Sequence, residues 1–289
     1  MYTELIKNLK SPVKVAFQGE IGAYSESAIY EFFGSEDVYP VPCKRFSDVF
    51  KCVENGETDF GVVPVENSIE GSVTQVYDLF LKHDVKVCGE IVLKIIHCLI
   101  ANPGVDLNSI KVIFSHPQAL GQCRNFLEGL NCELISTYDT AGSVKIIKER
   151  NMIDAAAIAS ERSARIYRMN ILAKNIADNP NNYTRFFVLA KFDAPFTGKD
   201  KTSIIFSTRH IPGALYRALG EFALRGINLT KIESRPTRQR PWEYNFYLDF
   251  EGHRTETRCA EALEGLKANA LFVKILGSYP KAPEINNAI

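Results

Sequence analysis

A threonine and an arginine, Thr184 and Arg185, stand side by side in the run DNPNNYTRFF at positions 178–187. The turn formers Asp178 to Asn182 lead into the apolar stretch Phe186, Phe187, Val188 and Leu189, which reads as a strand. The pair therefore falls at a strand mouth, where α/β proteins gather their ligands. A neutral hydroxyl donor beside a cation suits positioning and charge neutralisation. An ordinary loop with a threonine opening a strand would use the same residues, so other segments must weigh in.

Four further loops are placed after strand C-ends and before helix N-termini, on one sheet edge. They are rich in small polar residues: Gly22 and Ser25, Asn67 and Ser68, Thr140 and Gly142. Such loops offer free backbone N–H groups and a positive dipole end, which suits a small anion. Helix capping uses the same residue types. Gly19 and Gly22 do not make GxGxxG, and GxxxxGK[ST] is absent, so nucleotide readings are weak. His83, His97 and His116 are scattered, without HxxxH or HExxH, which argues against a metal site. His116 before Pro117 reads as a loop or capping histidine. No GxSxG elbow occurs, and Cys123, inside an expected helix, reads as a small buried residue. Glu66 and Glu70 lie near one loop, with Glu90 and Glu161 elsewhere, and nothing marks a carboxylate pair. The chemistry left is anion binding, positioning and one hydroxyl donor.

The elements that must position these residues repeat one grammar from Val13 to Ala190: strand, short polar loop, amphipathic helix. Strands are expected at 13–17, 60–65, 112–115, 134–137 and 155–159. Helices are expected up to Phe33, closed by Gly34, at 72–83, up to about Gly129 and Arg150, and after Arg162. This alternation predicts largely parallel sheets with helices on both faces. After a linker at 193–201, containing Pro195 and Gly198, the grammar changes. Strand 202–208 leads to helix 212–225, with Pro212 near its first turn and Gly226 past its end. Leu215, Leu219, Phe222 and Ala223 form its apolar stripe. Strand 229–234, a turn at 236–241, strand 243–250, helix 257–268 and strand 273–278 complete a βαββαβ order, the ferredoxin-like arrangement.

The chain has 289 residues, 46% apolar and 24% charged, enough for about two domains. Its 34 basic and 34 acidic side chains cancel, so neither a nucleic-acid footprint nor a polybasic membrane patch is indicated. Seven cysteines without a CxxC pair read as reduced thiols of a cytoplasmic protein. The first residues lack a signal-peptide core. The longest apolar run, 91–101, is broken by Lys94 and His97 and is too short to cross a bilayer.

Together these segments resemble the prephenate dehydratase family in its monofunctional form. The residues that carry the resemblance are GEIGAYSE (19–26), VENSIEG (65–71), HPQALGQC (116–123), DTAGS (139–143) and NYTRF (182–186). The second stretch resembles an ACT domain, with Gly213-Ala214-Leu215 and Glu233-Ser234-Arg235-Pro236 at the positions the family uses for phenylalanine. The resemblance implies an α/β fold: a two-lobed, periplasmic-binding-protein-like catalytic domain at 12–192 and a ferredoxin-like βαββαβ ACT domain at 201–280. It implies a hydro-lyase that takes water and carbon dioxide from prephenate to give phenylpyruvate, in phenylalanine biosynthesis. Aromatisation drives that reaction, so no metal or cofactor is expected.

The resemblance assigns the catalytic role to Thr184, as a positioned donor to the departing hydroxyl, with Arg185 beside it. Arg185 either neutralises a substrate carboxylate or braces the strand mouth. Ala23, Tyr24, Ser25, Asn67, Ser68, Gly71, Thr140, Ala141 and Phe186 are the expected substrate-binding residues, with Phe186 packing and shaping the cleft. Gly213, Ala214, Leu215, Asn228, Leu229, Glu233, Ser234, Arg235 and Pro236 are the expected effector-binding residues. Glu233 and Arg235 either rim the effector pocket or form a surface ion pair. A homodimer through the ACT sheets, doubled to a homotetramer, is expected, without nucleic-acid or membrane partners. Many members have GPxGTYS in the first loop, whereas this chain has Glu20 and Ala23. The GAYS form also resembles plant relatives that prefer arogenate, so the preferred substrate stays open. A non-enzymatic sensor of small anions and amino acids, and a regulator binding nucleic acid through 235–240, are the readings from other classes.

Overall fold

The computed structural model describes residues 11–34, 37–238 and 242–283. The chain divides into two compact units. One holds the chain up to Val76 and Ile91–Phe186; the other holds Tyr77–Glu90 and the chain from Phe187 onward. The first residues, read above for a signal peptide, and part of the 236–241 turn and of the 235–240 basic cluster lie outside the described residues.

The first sheet contains β1 (Val13–Gln18), β2 (Val38–Cys43), β3 (Phe60–Asn67), β4 (Gly71–Ser72), β5 (Lys86–Lys94) and β11 (Tyr183–Ala190). Its order is β2-β1-β3-β11-β5, with β4 paired to β3. β1 runs parallel to both neighbours, for example Val15 beside Pro40 and Phe60. Val13, Val15, Ala16 and Phe17 are all buried, the unalternated run of a strand covered on both faces. Helix α1 (Tyr24–Phe33) buries Ala28, Ile29 and Phe32 and stops at Gly34, as its sequence predicts. The β2 strand and helix α2 (Phe46–Asn55) escaped the sequence reading. β2 reads VYPVPC, whose two prolines disguise an edge strand.

One segment departs from its expected helix at 72–83. Ser72 pairs with Glu66 in an antiparallel hairpin, and helix α3 is only Thr74–Phe80. The cause is Asn67, whose Oδ1 accepts the N–H groups of Ile69 and Glu70, both at 3.0 Å, folding the chain into a turn. Gly71, at φ +80°, closes it.

The second sheet contains β6 (Cys98–Ala101), β7 (Val112–Ser115), β8 (Glu133–Ser136), β9 (Ala155–Ala159) and β10 (Asn170–Lys174), in the order β10-β6-β9-β7-β8. β7 is parallel to β8 and β9, but β6 is antiparallel to β9 and β10. The largely parallel expectation therefore holds for only part of this sheet, because β6 runs against both β9 and the strand unread in the sequence, β10. The loops expected on one sheet edge also divide: Asn67 ends a strand of the first sheet, and Thr140 comes after a strand of the second.

β9, AAAIA, is fully buried, and its small side chains admit helices on both faces. Ala156 and Ile158 meet Ala119, Cys123 and Leu127 on one side; Ala155, Ala157 and Ala159 meet Val144, Ile147 and Ala164 on the other. The helix expected to run to Gly129 is two pieces, α4 (Pro117–Gln122) and α5 (Arg124–Glu128). The break has a local cause. The Gln122 carbonyl accepts from Asp178 N–H at 2.8 Å, and Asp178 Oδ1 accepts from Asn125 N–H at 3.0 Å. Cys123 is buried at this break, not inside a helix. Helices α6 (Thr140–Glu149) and α7 (Glu161–Tyr167) complete the unit.

The second unit carries β12 (Asp200–Ser207), α8 (Ala214–Ala223), β13 (Leu229–Pro236), β14 (Tyr244–Glu251), α9 (Thr257–Asn269) and β15 (Phe272–Pro280). This is the βαββαβ order read from the sequence. The sheet is antiparallel throughout, ordered β13-β14-β12-β15. Ala218 and Phe222 of α8 and Ala262, Leu263 and Leu266 of α9 pack on Ile204, Phe206, Leu248 and Phe250. Helix α8 begins at Ala214, not near Pro212. Gly213 at φ +75° is its N-cap, a conformation that a Cβ opposes.

Candidate active site

β11 starts at Tyr183, so Thr184 and Arg185 are the second and third residues of the strand, just past the turn. Thr184 Oγ1 accepts a hydrogen bond from Asn67 Nδ2 at 3.0 Å. The direction is fixed, because Asn67 Oδ1 is committed to the two backbone donors of its own turn. An accepting Thr184 keeps its own proton for an acceptor elsewhere. Asn67 Nδ2 also contacts Asn182 Oδ1 at 2.7 Å and the Tyr183 carbonyl at 3.1 Å. Ser68 seals the same hairpin to the strand, its Oγ donating to Asn181 O and accepting from Tyr183 N–H, both at 2.9 Å.

The array extends inward through residues that the motif reading passed over. Asn182, fully buried, donates from Nδ2 to Gln122 Oε1 at 2.8 Å. Gln122 Nε2 donates to Glu70 Oε1 at 3.3 Å. His97 Nε2 stands 3.0 Å from the same Gln122 oxygen, and Tyr24 Oη stands 3.0 Å from His97 Nδ1 and 2.7 Å from the Ile96 carbonyl. Burial pushes the His97 imidazole below its ordinary value and the Tyr24 phenol well above its own. The signal for His97 was present in the sequence: a histidine interrupting the apolar run 91–101. Asn182 and Gln122 sat inside the motifs NYTRF and HPQALGQC.

Arg185 pairs with Glu66 at 3.8 Å, a loose ion pair beyond hydrogen-bond length. Phe186 is buried in the strand core. Gly71 lies opposite Asn67 in the hairpin. Tyr24, Asn67, Ser68 and Thr184 thus belong to one hydrogen-bonded array, with Arg185 beside it.

The first loop and α6 meet separately. Gly22 has φ +98°, and a Cβ there would stand 2.9 Å from Ser163 Oγ, so only glycine fits this approach. Its carbonyl accepts from Ser160 Oγ at 2.9 Å and Ser163 Oγ at 2.8 Å. The buried Glu26 carboxylate takes the Gly22 N–H at 2.6 Å and both Nε and Nη2 of Arg162 at 3.2 Å. Glu20, the departure from the common first-loop pattern, is held by Lys145 at 3.0 Å and the Tyr138 hydroxyl at 3.1 Å. Ala23, the N-cap of α1, and Ser25, in its first turn, are buried.

Asp139 caps α6, accepting from Gly142 N–H at 2.8 Å and also from Ala141 and Glu20 N–H. Burial raises its pKa against the lowering effect of those donors. Thr140 and Ala141 therefore open a helix whose first donors are partly engaged by its own cap. His116 caps α4, its Nδ1 accepting from Gln118 N–H, as the capping reading expects.

In the second unit the expected effector residues spread over two strand faces and a helix start. Gly213 and Ala214 open α8, and Leu215 packs on its core. Asn228 bonds Glu251, and Leu229 begins β13. Along β13 the burial alternates: Glu233 and Arg235 are half-buried, Ser234 and Pro236 exposed. Glu233 pairs with Lys231 at 3.4 Å and Arg235 with Asp78 at 3.3 Å. A groove of about 550 Å³ lies along α8, lined by Tyr216, Leu219, Ala223, Leu224, Ile227 and Leu229 among others.

Comparison with known proteins bears on both units. Residues 15–194 match the family model described as prephenate dehydratase, and residues 202–267 the model described as ACT domain. A bifunctional chorismate mutase/prephenate dehydratase of Aquifex aeolicus is 46% identical over 98% of this chain and 78% of its own. An arogenate dehydratase/prephenate dehydratase of Arabidopsis thaliana is 46% identical over 96% of this chain and 75% of its own. The crystal structure of a prephenate dehydratase from Arthrobacter aurescens in complex with L-Phe is 36% identical. It matches with a TM-score of 0.86, over 94% of this chain and 92% of that one.

Proposed function

The chain belongs to the prephenate dehydratase family, and from that premise we propose how its residues carry out the family's reaction. It is a hydro-lyase that converts prephenate to phenylpyruvate with loss of water and carbon dioxide. As the ring hydroxyl departs, negative charge builds on its oxygen, and a preorganised donor there lowers the barrier. Thr184 is that donor. The observation that carries this role is the one-way hydrogen bond from Asn67, which leaves the threonine proton to point at substrate. A threonine hydroxyl is a poor acid, so it stabilises and relays and is not a free proton source. Arg185, 3.8 Å from the Glu66 carboxylate, supplies the cation for a substrate carboxylate. Ala23, Tyr24, Ser25, Asn67, Ser68, Gly71, Thr140, Ala141 and Phe186 form the substrate-binding set, with Phe186 acting through packing.

We assign the catalytic domain to 12–192 and the ACT domain to 201–280. Phenylalanine binds the ACT domain through the residues at 213–215, 228–229 and 233–236 and inhibits turnover; the L-Phe complex of the Arthrobacter relative supports this reading. The assembly is a homodimer through ACT domains, doubled to a homotetramer. The exposed Tyr216 and Leu224 beside the apolar groove of α8 support a second copy at that face. The cytoplasm is its compartment, which seven free thiols favour. Among the described residues no helix is long and apolar enough to cross a membrane.

Arogenate is the second substrate to weigh, because relatives carry both names and Ala23 removes a hydroxyl from the first loop. A competition assay with both compounds, following phenylpyruvate and phenylalanine, tests the reading. Formation of phenylpyruvate is the expected result. Neither product forming would overturn the enzyme assignment and leave a sensor.

A further inference from the structure

The hydrogen-bond directions inward of Thr184 can be read in sequence from a fixed start. Backbone N–H groups cannot accept, so Ile69 and Glu70 force Asn67 to present Nδ2 to Thr184 and Asn182. Asn182 must then meet Asn67 with its oxygen and Gln122 with its Nδ2. Gln122 must meet Asn182 with Oε1, and that same oxygen faces His97 Nε2 at 3.0 Å. An oxygen facing a bare ring nitrogen would be repulsive. His97 Nε2 therefore carries a proton, an assignment reached without reference to hydrogen positions.

We infer that His97 is a positioning residue for Thr184, holding the Gln122–Asn182–Asn67 amide chain in register as the Nε2–H tautomer. The inference rests on the reading of Thr184 as the donor to the departing hydroxyl. Burial favours the neutral ring, which leaves Nδ1 as an acceptor. The Tyr24 hydroxyl of α1 donates its one proton to the Ile96 carbonyl at 2.7 Å and stands 3.0 Å from Nδ1, so that nitrogen meets the second limb of a shared hydrogen bond. Gln122 of α4 faces the other nitrogen, and behind it stands the Glu70 carboxylate. The Tyr24 ring meets the imidazole edge-on, with centroids 5.7 Å apart. The imidazole touches no residue placed at the reacting bond. Its effect is on geometry: losing the donor frees the Gln122 amide to rotate, and each amide after it loses its fixed direction.

The test uses the full chain and two readouts. In ¹⁵N-histidine spectra near neutral pH, His97 should show a protonated Nε2 and a bare Nδ1, assigned by loss of the signals in His97→Gln. In kinetics, His97→Leu should lower kcat by roughly ten- to a hundredfold with KM changed less than about threefold, as expected of misplacement without lost binding. His97→Gln keeps an N–H donor at similar reach and should recover most of kcat. A bare Nε2 overturns the assignment even if the leucine variant fails to fold. A folded leucine variant with near-normal kcat, or a glutamine variant as slow as leucine, overturns the positioning role. Thr184→Val run in parallel separates the two readings: if it keeps full turnover the donor role of Thr184 fails, while the tautomer result stands by itself.

Discussion

Arg235 forms an ion pair with Asp78: Nη2 donates to Oδ2 at 3.4 Å, and Nε lies 3.3 Å from Oδ1 without making a hydrogen bond. Arg235 lies on β13, in the segment assigned to effector binding; Asp78 lies on α3. The same short helix is held at several further points of the second unit. Tyr247 donates to the Tyr77 carbonyl at 3.2 Å, and their rings meet edge-on. Lys274 Nζ caps the helix end through the carbonyls of Phe80 and His83 at 2.7 and 2.9 Å. At its other end α3 follows β4, which pairs with Asn67, the partner of Thr184. Arg235, in the segment assigned to effector binding, thus holds a helix whose chain leads back into the hairpin of Asn67.

Asp78→Asn is therefore expected to weaken phenylalanine inhibition while sparing basal turnover. A coupling free energy in the usual range corresponds to an inhibitory concentration raised by about five- to tenfold or more. Inhibition curves at saturating and limiting prephenate measure it. Wild-type curves in this variant would remove the ion pair from the coupling.

Thr184→Val should keep the fold and lose about a hundred- to a thousandfold in kcat, the usual cost of one donor to a developing oxyanion. Thr184→Ser keeps the hydroxyl and should retain most turnover. Initial rates of phenylpyruvate formation, with circular dichroism to verify folding, check the pair. Equal losses in valine and serine variants would point to the methyl group's packing instead.

The Glu26–Arg162 pair makes a stability prediction. Glu26 is almost wholly buried, with the Gly22 N–H and Arg162 as its partners, and Arg162 also lies over the Tyr30 ring at 4.2 Å. Arg162→Met strands a buried carboxylate and should cost about 3 kcal/mol, read by urea unfolding. Adding Glu26→Gln should recover part of that loss, because the stranded charge is gone.

Alkaline pH should destabilise the fold through its thiols. Burial holds the Cys43 and Cys123 thiols up at about 12, against an ordinary value of 9.0. An unfolded thiol ionises as pH passes about 9, while the folded ones stay protonated. Their stabilising contribution is complete below that pH and is lost as pH rises towards 12. Unfolding midpoints from pH 8 to 11 should fall accordingly. At pH 8 both cysteines should also resist alkylation until the protein is unfolded. Rapid labelling of native Cys123 would contradict this environment.

Much of the fold was legible because its signals are local. The AAAIA strand, the helix to Phe33 stopped by Gly34, and the βαββαβ order of the second unit follow from apolar period, caps and glycine. β2 and β10 were not legible, the first because prolines interrupt it, the second because nothing local says that a strand must return beside β6. The 72–83 helix lost its first turn to a hairpin set by one asparagine side chain.

By itself, then, the sequence determined which residues can do chemistry: a hydroxyl and a guanidinium in NYTRF, an asparagine in VENSIEG and a tyrosine in GAYS. Those identities are covalent facts, and their order along the chain carries the family resemblance. Only the tertiary structure decided which way each group faces. Asn67 and Thr184 are 117 positions apart and meet through one amide hydrogen. His97 enters the array solely because β6 and α4 bring it against Gln122. Hydrogen-bond direction depends on what else each atom touches, and that is a property of packing, which composition and spacing cannot encode locally.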